Sequence, residues 1–256
     1  MAKKKLAKFA DMDVYENVFQ YGYAMLQKEP FPLKGKWSNY FGNDNPIVLE
    51  LGCGKGEYTV GMAQRFPDRN YVGVDLQGAR MWTGATEALE QGLKNVAFIR
   101  TDINLIAEFF ALGEVEEIWF TFPDPQMKRP NQRLTSTRFM QKYQQVLMPG
   151  QPIHLKTDSN FMYTYTEAMV EANNLKVLAN TDDLYASDLV DEVLEIKTFY
   201  EVQWLDRELT IKYLRFELPG EHQWVEPEVE IERDDYRSFK RTARNVIYLD
   251  DRPSGS

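Results

Sequence analysis

The run Pro46-Ile47-Val48-Leu49-Glu50-Leu51-Gly52-Cys53-Gly54-Lys55-Gly56 decides how the rest of the chain is read. Residues 47–51 form an apolar run bounded by proline and glycine, long enough for a buried strand and too short for a helix. The glycines beyond it let the backbone turn tightly and let a ligand approach the main chain. A helical pattern then extends through Phe66. This strand–turn–helix unit is repeated downstream. Residues 71–76 (YVGVDL), 96–100 (VAFIR), 117–122 (EIWFTF), 152–157 (PIHLKT), 175–179 (LKVLA) and 209–218 (LTIKYLRFEL) read as further strands. Helical patterns cover 79–91, 135–147 and 159–173. Alternation at this spacing predicts an α/β fold, a seven-stranded, mostly parallel sheet with helices on both faces. No crossover helix is visible in 180–208, which points to antiparallel pairing of the last two strands.

Outside this unit the character changes. Residues 1–45 read as a basic arm (Lys3, Lys4, Lys5, Lys8), a helix around 11–28 and a loop rich in proline and glycine. Residues 46–218 form the predicted catalytic domain. Residues 219–256 are an extension that is acidic at first (Glu221 to Asp235) and then mixes Arg237, Lys240, Arg241 and Arg244 with aromatics. The N-terminus carries no apolar run behind its lysines, and no stretch of 18 apolar residues occurs, so neither a signal peptide nor a membrane span is expected. Cys53 is the single cysteine, which excludes an internal disulfide and a multi-cysteine zinc site. With only His154 and His222 besides, no metal is expected, and a reducing cytoplasm is the simplest location. The net charge of −9 excludes a protein that coats nucleic acid indiscriminately; any nucleic-acid grip must be local.

The carboxylates around the glycine turn sharpen the ligand. Asp75 ends the second strand, 19 residues after Gly56, where an acid can accept both hydroxyls of a ribose. Asp102 comes after the third strand, where an acid can hold an adenine amino group or simply cap a helix. Glu50 and Glu57 flank the turn and disfavour a pyrophosphate, so a nicotinamide dinucleotide fits poorly. A cationic sulfonium fits better, and S-adenosylmethionine (SAM) is the expected ligand. At the end of the fourth strand stands Phe122-Pro123-Asp124-Pro125, a stiff corner on the ligand side of the sheet. From Pro125 to Thr157 there is no acid, although 39 acids in 256 residues imply about five. Lys128, Arg129, Arg133, Arg138, Lys142 and Lys156 fall in this window and read as a positive strip for RNA phosphates. Cys53 and His154 read as packed side chains.

The E-x-G-x-G-x-G turn, the aspartate ending strand two and the element order resemble the class I SAM-dependent methyltransferases, whose fold is Rossmann-like. Residues 35–56 (GKWSNYFGNDNPIVLELGCGKG), 122–135 (FPDPQMKRPNQRLT), 155–160 (LKTDSN) and 198–201 (TFYE) together resemble the bacterial tRNA (guanine-N7-)-methyltransferases. The resemblance implies methyl transfer from SAM to N7 of a tRNA guanine, in the variable loop, by a monomer or homodimer with no metal and no membrane. It implies that Glu50, Gly52, Gly54, Gly56, Asp75, Asp102 and Asp124 surround SAM, with Asp124 also catalytic. Lys128, Asp158, Thr198, Tyr200 and Glu201 are implied as substrate-side contacts. From the residues alone, Asp158 also reads as a helix cap, and Thr198–Glu201 also as plain strand or loop. Gln126 and Met127 stand where the family carries tryptophan, and the basic run is about two residues short, which detaches Arg129 and Arg133 from a one-to-one match. Two other readings keep part of the pattern. A small-molecule methyltransferase has no use for the basic strip, and an RNA-binding protein that retains SAM without turnover has no need of Asp124.

Overall fold

The computed structural model describes residues 2–235, with side chains from Leu6 onward. Lys3, Lys4 and Lys5 as side chains, and Arg237, Lys240, Arg241 and Arg244, lie outside the described residues. In chain order the elements are α1 (Ala2–Met12), β1 (Val18–Gln20), α2 (Tyr23–Leu26), α3 (Trp37–Phe41), β2 (Ile47–Leu51), α4 (Glu57–Arg65), β3 (Asn70–Asp75), α5 (Gly78–Glu90), β4 (Val96–Arg100), β5 (Val115–Thr121), α6 (Thr137–Tyr143), β6 (Pro152–Thr157), α7 (Asn160–Ala172), β7 (Val177–Thr181), α8 (Phe199–Leu205) and β8 (Lys212–Glu217).

The strands form one sheet in the order β1-β4-β3-β2-β5-β6-β8-β7. Pairing is parallel from β1 through β6. β8 is antiparallel to both β6 and β7; the pairing with β7 is the one expected, although 180–208 does hold a short helix, α8. The sheet has eight strands rather than seven. The additional one, β1, is three residues long and pairs Val18–Gln20 with Phe98–Arg100. Three residues carry too little alternation to be seen as a strand in sequence, and they fall inside the helix expected over 11–28. That helix is not there: α1 ends at Met12 and only the single turn of α2 comes after it. The basic arm is itself α1, packed on α5, with Lys8 Nζ 4.3 Å from the centre of the Trp82 ring and the Trp82 indole donating to Asp11.

Alternation along the strands splits the core into two layers. Leu49, Leu51, Val72, Val74, Phe120 and Leu155 face one layer with α6 and α7. Val48, Tyr71, Phe98, Trp119 and Tyr213 face the other with α4 and α5. His154 packs in this second layer as expected, stacked on Trp119 at 3.9 Å with Nδ1 2.7 Å from the Tyr213 hydroxyl. Strand order reverses between β2 and β5, so the crevice outside their carboxyl ends is where this topology places a ligand.

Candidate active site

A cleft of about 540 Å³ opens at that switch point. Its floor is the glycine turn between β2 and α4. Gly54 takes a left-handed φ of +56°, and its N–H donates to Asp75 Oδ2 at 2.9 Å, so the turn and the end of β3 are locked together. Gly56, at φ +75°, has a different task. A Cβ there would lie 2.7 Å from the Phe98 ring, so a side chain would drive α4 away from the sheet. Gly52 and Gly54 line the cleft, and Gly56 supports them from behind.

Glu50 also works from behind. It is 2% exposed and does not line the cleft. Its carboxylate accepts from Thr59 N (2.8 Å) and Thr59 Oγ1 (2.5 Å) in α4 and from Thr121 at the end of β5. Burial raises its pKa to about 7, against the pull of those three hydrogen bonds. Glu50 thus ties together the three elements that meet under the ligand. Cys53 is buried in the turn, and burial pushes its thiol well above the usual range.

The remaining acids line the wall. Asp75 Oδ1 accepts from Gln77 N at 2.7 Å, which fixes the carboxylate at the rim beside exposed Leu76. Asp102 Oδ1 accepts from the backbone and side-chain nitrogens of Asn104, both at 2.9 Å, so it caps the following turn while lining the cleft. Asp124 is exposed on the opposite wall. It accepts from Gln126 N at 3.0 Å and stands between Phe122 (φ +54°) and Gln126 (φ +46°). Left-handed backbone at two bulky residues costs about 1–3 kcal/mol each and persists only where surrounding structure imposes it. Here the imposing contacts include Phe122 N to Lys156 O at 2.8 Å and the two prolines. The corner is held in a costly shape that presents Asp124 to the cleft.

Asp158, Thr198 and Tyr200 reach the same cleft. Asp158 is 1% exposed at the β6–α7 turn. Thr198 and Glu201 form a capping box that starts α8, neither strand nor loop. Glu201 is fully buried and does not line the cleft; it pairs with Lys156 at 2.8 Å, both side chains at 0% exposure. Lys156 Nζ also donates to Tyr58 (3.0 Å) and to the carbonyls of Leu194 (2.8 Å) and Ile196 (3.1 Å). Burial pulls the Lys156 ammonium down to about 8 despite Glu201. Lys128 is exposed near the Asp124 corner but does not line the cleft.

The expected positive strip is only half present. Lys156 is in the core. Arg133 is 9% exposed, with its guanidinium 4.8 and 4.4 Å from the Phe161 and Tyr165 rings. Lys142 is half-buried and donates to Asn104 O at 3.0 Å. Lys128, Arg129 and Arg138 remain exposed. An acid-free window in sequence records charge but not direction, and three of these six side chains turn inward.

Two cations that sequence reasoning passed over line the cleft instead. Lys55, inside the glycine turn, places Nζ 3.8 Å over the Phe199 ring, and the Arg80 guanidinium lies 5.9 Å from the Tyr200 ring. Lys55 was legible in the motif; Arg80 sits on α5 without a local signal. Among the described residues no group of His, Cys, Asp and Glu is placed to hold a metal, and no helix is long and apolar enough to cross a membrane.

Comparison with known proteins agrees with this architecture. Among solved structures, the chain is similar to the 16S rRNA methyltransferase KamB (TM-score 0.56, 16% identity, 75% of this chain and 95% of that one). It is similar in the same way to a 16S rRNA (adenine(1408)-N(1))-methyltransferase from Catenulisporales acidiphilia determined with cosubstrate SAM (TM-score 0.51, 15% identity, 75% and 93%). At these identities the likeness speaks for the fold. The family Methyltransf_4, described as “Putative methyltransferase”, matches residues 44–214. Proteins named tRNA (guanine-N(7)-)-methyltransferase are 61% identical in Bacteroides thetaiotaomicron, over 96% of this chain and 98% of the relative, and 57% identical in Porphyromonas gingivalis, over 91% and 98%. Fold, glycine turn and near-full-length identity converge: the chain belongs to the bacterial tRNA (guanine-N7-)-methyltransferase family.

Proposed function

We propose that this protein transfers a methyl group from SAM to N7 of a guanine in tRNA, and that the target lies in the variable loop. The observation that carries the reading is the Asp124 corner, held in strained backbone on the wall of a cleft that Asp75, Asp102 and Asp158 also line. The donor set fits SAM. Asp75 and Asp102 are acceptors suited to a ribose and an adenine amine, and the acidic rim suits a cation. When bound, SAM supplies a methyl on a positively charged sulfur.

The residues then have separable tasks. Guanine N7 has an in-plane lone pair and is unprotonated at neutral pH, so no general base is required. The protein's work is to hold N7 in line with the carbon–sulfur bond. Methyl transfer to N7 would leave the base positively charged, and the protein's own residues have to accommodate that charge. Asp124 accepts hydrogen bonds from the guanine edge and stabilises that charge as it grows. Asp158, Thr198 and Tyr200 face the same space and hold the nucleotide. Lys128, Arg129 and Arg138 meet the phosphates outside. Glu201 acts through Lys156, by fixing the segment that carries Thr198 and Tyr200. The residues named here all lie within 46–218, and a tRNA substrate is in keeping with a reaction in the cytoplasm.

The test is incubation of purified protein with labelled SAM and unmodified tRNA transcripts, then chemical cleavage at N7-methylated guanine. One break in the variable loop is expected. Label transferred to another atom, or only to small molecules, refutes the proposal.

A further inference from the structure

Thr198 and Tyr200 stand at the start of α8, far in sequence from the glycine turn that floors the cleft. In space the two segments are joined. The carboxylate of Glu57, the first residue of α4 after the turn, accepts from the backbone N–H of Phe199 at 3.0 Å. Lys55, inside the turn, holds Nζ 3.8 Å over the Phe199 ring. The contact continues along α4. The Tyr58 hydroxyl accepts from Lys156, which pairs with Glu201. Gly61 makes room for Ile196, since a Cβ there would lie 3.1 Å from Ile196 Cγ2. Segment 196–201 therefore lies along α4, and its cleft-lining residues sit beside the turn.

Folding of α8 does not require Glu57. The helix start is already closed by the capping box of Thr198 and Glu201 and by the buried pair of Glu201 with Lys156. Phe199 is 49% exposed, so water can replace the Glu57 acceptor at little cost in stability. What the hydrogen bond adds is a fixed distance between the turn under the donor and Tyr200, the next residue after Phe199, on the cleft wall. A reaction that depends on holding two reactants in line is sensitive to that distance.

We propose that Glu57 is a positioning residue: by holding the N–H of Phe199 it sets Thr198 and Tyr200 in register with the donor turn, so that donor and tRNA each tighten the other's binding. The inference rests on the tRNA reading above. Linkage requires the same factor in both directions, and a factor of about five or more is expected. The test titrates the full-length chain and its variants E57A, E57Q, F199P and E57A/F199P with S-adenosylhomocysteine, the demethylated donor, with and without an unmodified tRNA transcript. The converse titration uses tRNA with and without S-adenosylhomocysteine, and thermal midpoints are recorded throughout. F199P deletes the donated N–H at the first helical position, which suits proline, and Thr198 already has the extended backbone (φ −77°, ψ 157°) that precedes one. Phe199 does not line the cleft, so F199P should bind S-adenosylhomocysteine alone as the parent does. Mutual tightening should disappear in E57A and F199P at an unchanged midpoint. E57Q, whose amide oxygen still accepts, should keep it. The double variant should lose no more than either single one, because both remove the same hydrogen bond. A parent that methylates tRNA but shows no mutual tightening overturns the proposal, as does an E57A variant that keeps it. A loss in E57A that F199P does not share marks Glu57 as a direct donor contact, and a loss matched by a lowered midpoint marks a structural one; either overturns it. A parent that methylates no tRNA removes the substrate reading itself.

Discussion

Replacing Lys156 with methionine keeps the length and most of the volume of a fully buried side chain and deletes its charge. The loss can be worked from its surroundings. Nζ lies 2.8 Å from Glu201 Oε1 and donates to Tyr58 and two backbone carbonyls, and both charged groups have 0% exposure. In K156M the Glu201 carboxylate keeps donors from Tyr185 and Thr198 N but loses its counter-ion. An uncompensated buried charge costs about 3–5 kcal/mol. Against a total stability of about 5–15 kcal/mol this is a large fraction. For a chain of this size it lowers the thermal midpoint by roughly 6–20 °C. The assay is urea unfolding at pH 7 of the wild type, K156M, E201Q and the double variant K156M/E201Q. Each single variant should lose several kcal/mol, and the double variant should lose markedly less than the sum, because the second substitution removes the charge stranded by the first. Single variants within about 1 kcal/mol of wild type, or a double variant whose loss is fully additive, would refute the claim that this pair fixes the α8 segment.

Asp124→Ala should lower methyl transfer about 10²–10³-fold, the scale of one lost charge-stabilising group, while calorimetry still shows SAM binding; near-normal turnover removes Asp124 from the chemistry. Glu50 has a folded pKa of about 7, above the ordinary 4.5, so the stability it contributes is complete below pH 4.5 and is lost as pH rises through 7. The loss amounts to about 3 kcal/mol, and Glu50→Gln, measured without ligand by urea unfolding across pH 4.5–8, should lack that slope; parallel profiles contradict the assignment. Gly56→Ala sets a Cβ against Phe98 in left-handed backbone, and should cost about 2–4 kcal/mol while lowering SAM affinity through displacement of the turn; a variant of wild-type stability and affinity rejects that reason for the glycine.

How much could be read from sequence depends on how local each signal is. The run 47–56 announced strand, turn and helix because its apolar residues, its glycines and Glu50 all lie within ten residues. The Phe122–Pro125 corner was legible for the same reason, although its two left-handed residues were not, since neither Phe122 nor Gln126 favours that conformation. Thr198 and Glu201 show the opposite case. Their spacing is that of a capping box, but the apolar run after them is short, and the partner that decides Glu201's role stands 45 residues away on β6. Lys156 misled because a basic residue on a strand surrounded by cations looks like surface. Only the pairing of β6 between β5 and β8, with residues 184–196 laid across it, makes that position interior. The helix expected over 11–28 failed where a three-residue edge strand, stabilised by β4 and not by its own sequence, took its place.

The charge arrangement gives these details a common cause. A cleft built to hold a cationic donor must be acidic, and four aspartates around it repel the phosphates of an RNA that has to come within reach of the same methyl group. Cations placed inside the cleft relieve that repulsion but compete with the donor for the carboxylates. The fold separates the two demands by distance. Lys55 and Arg80 inside stand against the aromatic faces of Phe199 and Tyr200. The exposed cations of the acid-free window, Lys128, Arg129 and Arg138, come after the Asp124 corner in the chain and do not line the cleft. Screening at physiological salt acts over about 8 Å, so cations at the rim can hold a phosphate chain while the donor site a comparable distance inward keeps its negative potential. A protein with net charge −9 can therefore grip RNA, provided its positive groups are gathered at one edge.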